Sequence, residues 1–476
     1  MLNELGISDF GVYNAVAGVV SMFAFVNNAM AGATSRFLSF DLGKEDYHVL
    51  SKTFNLSVSI HLIIAGSILI LGETIGLWFV ANKLVIPADR MESALWVYHF
   101  SIVAAVIGFL TVPYLAIINA YEKMKIYSMV SIIEVVLRLL IVLLLPFIKY
   151  DKLKTYAILS SFISILVFVI FYVVCFRLFR ETRIKRLIWD SVLFKRMAVF
   201  AGWVMNGNLA FVAYTQGINI LLNIFFGPAV NAARGIALQV QNAVNNFSHN
   251  FQKAMNPQIT KAYAVGEIER MHRLVFSSSK ITFFLVFMVF IPIYFETDFI
   301  LMKWLNQVPE YTSIFVKLTM IISVISSLSY SLVVSIHANG NIRKFQLWEG
   351  GILLLIIPIS YVLLKSGFGP TSTLIVHLII SILVQIVRVL IVSKAVEFSN
   401  LTYFNKVLLK LCITIPFCMV FPYIIFHYME EGWIRLLLLS VVSLLSVGGF
   451  GYLLGLDQTE KEFVNHFLTK FKRKMA

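Results

Sequence analysis

Charge is what this chain has least of. Only 13% of its 476 residues are Asp, Glu, Lys or Arg, whereas 59% are hydrophobic and the mean hydropathy is +0.84. A soluble globular chain carries about a quarter charged and about half apolar residues, so this composition excludes one and sends the surplus apolar surface into lipid. Three cysteines, Cys175, Cys412 and Cys418, lie in apolar stretches with no metal-ligand spacing. They read as packing residues, which excludes a disulfide frame and a zinc site. The chain also has no glycine-rich phosphate loop ending in Gly-Lys-Ser/Thr and no His pair at zinc spacing, so nothing in it drives an ATP pump, and neither a catalytic residue nor a metal ligand is expected. Stretches of domain size between the apolar runs are missing too: the longest gaps, 179–196 and 257–280, are too short to fold alone.

Apolar runs of about 20 residues, enough to cross a hydrocarbon core of roughly 30 Å, are abundant. Thirteen are expected, over residues 9–35, 53–82, 93–119, 126–148, 155–178, 197–225, 229–256, 281–300, 311–337, 346–365, 371–393, 407–428 and 433–455. Backbone groups in lipid must be satisfied within each segment, so the fold class is an all-α polytopic bundle. The 39 basic residues exceed the 25 acidic ones by 14. In a membrane chain this excess marks cytoplasmic loops before it suggests nucleic acid, which is not an expected partner. Alternate loops hold 26 basic residues in one set and 8 in the other. The first set, from Arg36, Lys44 and Lys52 to the tail after Lys461, is therefore cytoplasmic, which places the C-terminus inside and Met1 outside. Residues Met1 to Asp9 read as the tail of a loop, so one further helix is expected upstream.

The chain repeats itself weakly but in order. Phe226-Gly227 opens the seventh run as Leu5-Gly6 opens the first, and Ala264-Val265-Gly266-Glu267 follows one helix as Asp41-Leu42-Gly43-Lys44 follows the other. Met124-Lys125-Ile126-Tyr127 matches Ile342-Arg343-Lys344-Phe345 at an offset of 218, which also pairs His99 with Lys317. The expected organisation is an N-lobe of five spans over 1–178, a basic cytoplasmic linker over 179–196, a C-lobe of six spans over 197–393, two extra spans over 407–455 and a basic tail over 456–476. The span at 155–178 closes the N-lobe. These are two pseudo-repeated six-helix lobes, the first lacking its first helix, and transporters place their sites at such repeats.

The seventh run carries Arg234, Gln241, Asn245, His249, Gln252 and Asn256 within roughly 80° of helical arc, with Ile236, Val240, Ala243 and Phe247 opposite. Hydrogen bonding to neighbouring helices accounts for two or three such residues. Six in register, with Asn242, Asn246, Asn250 and Lys253 beside them, favour an aqueous lumen. The sixth run repeats the pattern with Asn208, Thr215, Asn219 and Asn223, and the first with Asn14, Gly18, Ser21, Asn28, Gly32 and Ser35. For Gly18 and Gly32 close helix packing is an equal reading. Ionisable residues in spans are costly and are functional candidates by default. Glu134 and Arg138, four apart, read equally as a neutralising pair, and Glu349 as interfacial. Arg388 has no acidic residue within a turn. Arg36, Arg138, Arg234, Lys253, Lys317 and Arg388 outnumber Glu134 and Glu349, and a cationic lumen suits an anionic substrate. Prolines 113, 292, 358, 416 and 422 permit bends.

The stretch Leu5-Gly6-Ile7-Ser8-Asp9-Phe10-Gly11-Val12-Tyr13-Asn14, with Gly18-Val19-Val20-Ser21-Met22-Phe23 and Ser35-Arg36-Phe37-Leu38-Ser39, resembles the second-helix region of bacterial oligosaccharide flippases of the multidrug/oligosaccharidyl-lipid/polysaccharide exporter superfamily. Val230-Asn231-Ala232-Ala233-Arg234-Gly235-Ile236-Ala237 and Asn256-Pro257-Gln258-Ile259-Thr260-Lys261 are similar to its eighth helix. The resemblance implies two six-helix lobes around a central cavity in the bacterial cytoplasmic membrane. By alternating access they move an undecaprenyl-diphosphate-linked oligosaccharide to the outer leaflet for O-antigen, lipopolysaccharide or capsule. It implies as partners the lipid-linked oligosaccharide, membrane lipids, a polysaccharide polymerase and glycosyltransferases. No cofactor is implied. An inside-negative potential favours outward movement of anionic substrate by about 2.3 kcal/mol per charge per 100 mV, and coupling to H⁺ or Na⁺ stays open. The alternative is a cation-coupled multidrug exporter of the same superfamily, which calls for acidic residues that the polar stripes lack. A scaffold or an integral glycosyltransferase is a further alternative, the latter calling for extramembrane loops that are missing.

Overall fold

The structure is a computed structural model that describes residues 24–83, 86–184, 189–305 and 307–462, with four isolated positions ahead of 24. It is all-helical, with no strand among the described residues. In chain order the helices are α1 (Ala24–Gly43), α2 (Tyr47–Leu71, continuing through a π turn at Gly72–Gly76), α3 (Met91–Ala120), α4 (Met124–Leu144) and α5 (Lys152–Leu178). Then come α6 (Ser191–Phe226), α7 (Pro228–Ala264), α8 (Ile268–Phe295), α9 (Thr297–Trp304), α10 (Thr312–Ser327) and α11 (Tyr330–Asn339). The chain closes with α12 (Arg343–Leu354), α13 (Ile356–Lys365), α14 (Thr371–Ala395), α15 (Leu409–Tyr428) and α16 (Trp433–Phe450). Eleven continuous helical segments are long and apolar enough to cross a membrane, which makes this a multi-pass membrane protein. The helices α1 and α7, richer in polar residues, occupy the other two of the thirteen expected positions.

Several boundaries differ from expectation, and at two of them a basic side chain has found a partner. The first run was expected to end at 35, yet α1 continues to Gly43. Arg36 can stay on the helix because its guanidinium lies over the rings of Phe37, Phe40 and Phe200 at 4.5, 5.1 and 5.4 Å, an attraction available to a cation on an aromatic face. The eighth run was expected over 281–300 with Lys280 in a cytoplasmic loop, whereas α8 begins at Ile268 and buries Lys280 completely. Pro358, whose ring cannot accept a continuous helix, accompanies the break at Leu355 between α12 and α13.

Two compact units divide the chain, residues Met1–Met205 and Asn206–Ala476, with the boundary inside α6. In the first, α3 is central and packs on α1, α2 and α5. Its aromatic contacts include Phe54 edge-on to Tyr114 at 5.5 Å and Tyr121 stacked on Phe179 at 4.4 Å. In the second, α7, α8 and α10 pack mutually, α10 also meets α14, and α16 leans on α8. The two bases that the offset of 218 relates each hold an acid of their own unit, at positions the offset does not relate: His99 with Glu73 at 2.8 Å, and Lys317 with Asp298 at 3.1 Å.

The last two spans are fixed to α8 at both ends. Near one end Arg435 of α16 makes a two-pronged contact with the buried Glu296, at 2.5 and 2.9 Å, the geometry that suits a guanidinium and a carboxylate. At the other, Lys280 reaches Glu460 at 2.7 Å and Asp457 at 3.2 Å, and Lys410 of α15 also bonds Asp457. Between them the π turn Gly451–Gly455 presses on Phe284, so closely that a Cβ on Gly455 would lie 2.4 Å from the ring. Burial raises the cost of the Asp457 carboxylate, but the Lys410 hydrogen bond and the Lys280 charge overcome it and hold its pKa below the ordinary range.

Truncating Lys280 leaves the buried Glu460 carboxylate uncompensated, a change worth about 3–5 kcal/mol. Lys280→Met is expected to lower the unfolding midpoint of the detergent-purified protein strongly, and Lys280→Met/Glu460→Gln much less. Because the folded-state pKa of Asp457 is depressed, its contribution is complete above the unfolded pKa and is lost as pH falls through the folded one. Wild-type stability should therefore decline below about pH 4, and Asp457→Asn should flatten that part of the profile, read by thermal unfolding across an acid pH series.

Candidate substrate-binding site

The helix α7 is the polar element expected from the sequence, and the structure divides its polar residues between two faces. One face is buried against the next unit of packing. Arg234, 1% exposed, donates from Nη1 to Thr319 Oγ1 of α10 at 3.3 Å, and Gln241 donates from Nε2 to Ser323 Oγ of α10 at 3.2 Å. The acceptors are four apart and so stand in one line on α10. Further along, His249 lies edge-on to Tyr330 of α11 at 5.0 Å. Gln252 is buried, and Asn245 and Asn256 are half-buried. Three members of the stripe are thus engaged by α10 and α11, the interhelical reading that the sequence allowed for two or three.

The other face is open. Asn242, Asn246 and Lys253 are exposed and, with His249 at the border between the two faces, exposed on one side and against Tyr330 on the other, recur at spacings of four, three and four, one line along the helix. The exposed large side chains of the other spans are mainly Leu, Ile, Val, Phe and Trp, with single amides such as Asn28 of α1 and Asn206, Gln216 and Asn223 of α6 among them. An exposed polar line on a membrane-length helix has to meet water or a polar ligand, because hydrocarbon offers no hydrogen bonds. The side chains of Phe247 and Asn250 lie outside the described residues, as do Asn14, Gly18 and Ser21.

The electrostatics of the second unit centre on two arginines in different situations. Arg388 of α14 bonds Glu349 of α12 and, from Nη1, Gln385 Oε1 at 2.6 Å. The acidic partner that the sequence did not place near Arg388 comes from a helix 39 residues away. Arg234 has no carboxylate within salt-bridge distance among the described residues, and its Nε is buried without a hydrogen-bond partner. Around them sit Tyr214 of α6, edge-on to the buried His377 of α14 at 5.1 Å. Tyr214 feels the charges of Arg234, Glu349 and Arg388 together. Gly207 of α6 makes room for Gln346, whose Oε1 lies 1.9 Å from where a Cβ would be.

The remaining candidates are placed as follows. On α6, Asn208 is half-buried, Thr215 bonds back to the Phe211 carbonyl at 2.8 Å, and Asn219 donates to Gln216 at 3.1 Å. The bonds of Thr215 and of the Asn219 amide nitrogen thus stay within their own helix, whereas Asn219 Oδ1 is buried without a partner. In the first unit Asn28 is exposed and Arg36 is held over three rings. Arg138 bonds Glu134 through Nε and Nη2 at 2.9 and 2.8 Å, the neutralising pair that their spacing of four allows. Lys253 and Lys317 both have partners. Of the cysteines, Cys175 and Cys418 are buried, whereas Cys412 is exposed and is not a packing residue within the chain.

Sequence reasoning missed several buried polar groups. Lys280 lies at the end of the gap 257–280 and Arg435 at the start of the last run, so neither reads from the sequence as a buried cation. The acids at 457 and 460, one helical turn apart just after the last span, were the available signal for a buried cation. In the first unit His61 is fully buried, with Nδ1 2.7 Å from the Ser57 carbonyl, and Thr53 bonds the buried Asp41 at 2.5 Å. Thr53, Ser57 and His61 recur every four residues, a polar line that a reading for apolar length passes over.

No family model and no curated protein matches the sequence. Among solved structures the chain is similar to an outward-facing multidrug resistance MATE family transporter of the MOP superfamily, with a TM-score of 0.71 at 13% identity over 83% of this chain and 90% of that one. It is also similar to MATE in the straight conformation, with a TM-score of 0.69 at 15% identity over 83% and 90%. A third is a MOP superfamily transporter from Pyrococcus furiosus, described as having a binding pocket of reverse polarity that suggests a different function, with a TM-score of 0.66 at 13% identity over 83% and 93%. At this level of identity the likeness establishes a MATE-like fold.

Breaking the Arg388–Glu349 pair from one side strands a charge inside the second unit. Arg388→Met is expected to destabilise the protein by about 3 kcal/mol, and Arg388→Met/Glu349→Leu to recover most of that loss. A double-mutant cycle of thermal unfolding in detergent measures both.

Proposed function

We propose that this protein is a transporter of the bacterial cytoplasmic membrane that moves a lipid-linked, diphosphate-headed oligosaccharide from the cytoplasmic to the outer leaflet by alternating access, with its C-terminus inside. The observation that carries the reading is α7. It combines a buried Arg234 lacking a carboxylate partner among the described residues with an exposed line of Asn242, Asn246, His249 and Lys253. Amide side chains donate and accept hydrogen bonds in both directions and match sugar hydroxyls. A guanidinium presents forked donors to phosphate oxygens. The MATE-like fold supplies a scaffold on which transport is known among the neighbours. Chemistry on the substrate is not part of the proposal. Polysaccharide polymerase and glycosyltransferases are its proposed working partners.

The multidrug alternative shares the fold, and two neighbours bear on it by name. A cationic drug calls for a free carboxylate in the spans. Here Glu349 is paired with Arg388, Glu134 with Arg138 and Glu296 with Arg435, while the buried Asp41 of α1 is bonded by Thr53, so the electrostatics around α7 favour an anion.

In liposomes holding the purified protein, a fluorescent polyprenyl-diphosphate oligosaccharide in the inner leaflet should become accessible to an external lectin, and Arg234→Ala should slow this at least tenfold while leaving the thermal unfolding midpoint within a few degrees. Unchanged accessibility in Arg234→Ala would remove the cationic-site reading. Drug resistance conferred on a sensitised host, without lipid translocation, would select the multidrug alternative.

A further inference from the structure

Where α8 begins and α14 stops, the second unit holds a polar cavity that the proposed function does not use. It measures about 420 Å³ and lies between α8 and the segment leading into α15, helical from Asn400 through a π turn at Phe404–Leu408. Glu269 and Arg273 of α8 line it, together with Glu397, Lys406 and the hydroxyl-bearing Ser399 and Thr402. Its apolar lining is fixed without any ligand. His272, which also borders the cavity, donates from Nε2 to the Val396 carbonyl at 2.6 Å, and Phe398 lies edge-on to His272 and Phe276 at 5.7 and 5.4 Å. Glu397 takes a left-handed backbone, with φ of 60°, at the C-terminal cap of α14, and the Phe398 amide closes that cap on the Ser393 carbonyl at 3.1 Å.

The charges around this cavity are unpaired, which sets it apart. Glu269, Arg273, Glu397 and Lys406 make no ion pair and no side-chain hydrogen bond among the described residues. Glu269 and Arg273 are four apart on one helix, the spacing at which Glu134 and Arg138 do pair, and beside them Arg270 pairs with Glu267 at 2.8 Å. The Ser399 side chain precedes a helix without capping it. Two acids, two bases and two hydroxyls thus border one space with their hydrogen-bonding capacity unspent. A ligand that satisfies them together carries both signs of charge. Guanidinium, ammonium and hydroxyl groups suit a phosphate, and a pair of carboxylates suits the three donors of a primary ammonium. Lys406 stands at the edge of the expected span 407–428. From it the same helix continues an exposed apolar line through Leu409, Ile413 and Phe417, spaced three, four and four. A zwitterionic head in the cavity therefore has apolar surface on the same helix for its acyl chains.

We infer that this cavity binds the phosphoethanolamine head of an aminophospholipid, with Arg273 and Lys406 receiving the phosphate and Glu269 and Glu397 the ammonium. The site goes beyond the proposed function and does not rest on it. Phosphatidylglycerol brings the phosphate without the ammonium, and phosphatidylcholine brings a quaternary nitrogen with no hydrogen to donate, so each leaves the carboxylates unsatisfied. A lipid seated here bridges α8 and the segment leading into α15, and ties that joint to the composition of the membrane.

The test uses the full chain in mild detergent, with native mass spectrometry following adducts of phosphatidylethanolamine, phosphatidylcholine and phosphatidylglycerol added singly, and no oligosaccharide lipid present. Expected is a first phosphatidylethanolamine adduct at least fivefold tighter than that of either other lipid. Glu269→Gln/Glu397→Gln should erase this preference without weakening phosphatidylglycerol, and Arg273→Gln/Lys406→Gln should weaken phosphatidylethanolamine at least fivefold. All four side chains are exposed and unbonded, so each double variant should keep its thermal unfolding midpoint within a few degrees, which separates lost binding from lost fold. Equal binding of the three lipids, phosphatidylethanolamine affinity unchanged in either double variant, or its displacement by equimolar free O-phosphoethanolamine would overturn the inference. Translocation of the oligosaccharide lipid is read separately. Selective binding without translocation would sink the proposed function and leave this site standing, and translocation without selective binding would do the reverse.

Discussion

A charge taken out of water needs an opposite charge or a full set of hydrogen bonds, and inside a membrane protein few places supply either. That constraint organises this molecule. Arg435 meets Glu296, Lys280 meets Glu460 and Asp457, Arg388 meets Glu349, and Arg138 meets Glu134. The first two pairs hold the last two spans against α8 at both ends, with the close contact of Gly455 on Phe284 between them. Hydrophobic area cannot select a mate in lipid, because the tails are as apolar as the helices. Paired charges and close glycine contacts can, and they are the specific elements in these joints.

Against that background the exceptions carry the functional argument. Arg234 sits at 1% exposure with one long hydrogen bond to Thr319 and an unpartnered Nε. On the same helix, four polar side chains are turned outward where hydrocarbon would be the default neighbour. The second unit thus holds an arginine without a carboxylate partner among the described residues on the same helix as an exposed line of two asparagines, a histidine and a lysine.

The polar stripe on α7 was legible from periodicity, since side chains three and four apart must share a face. Which part of that face is covered was not. Gln241 and Arg234 point at Ser323 and Thr319, whereas Asn242 and Asn246, about 100° round, stay open, and α10 alone decides the difference. Arg138 and Glu134 were readable because their partner lies within one turn. Arg388 was not, because Glu349 arrives from another helix. Lys280, at the end of the gap 257–280, reads from the sequence as a loop lysine, and it is buried because two carboxylates from the chain's far end converge on it.

The sequence by itself determined that the chain crosses a membrane many times as helices, because apolar length and the need to satisfy backbone groups internally leave no other solution. It also determined the internal repeat and the polar character of α7, both written in local spacing. Tertiary structure decided the rest: which charges cancel, which amides face outward, and where Cys412 ends up. Those outcomes depend on contacts between residues tens to hundreds of positions apart, and no local pattern encodes the partner that will be brought to them.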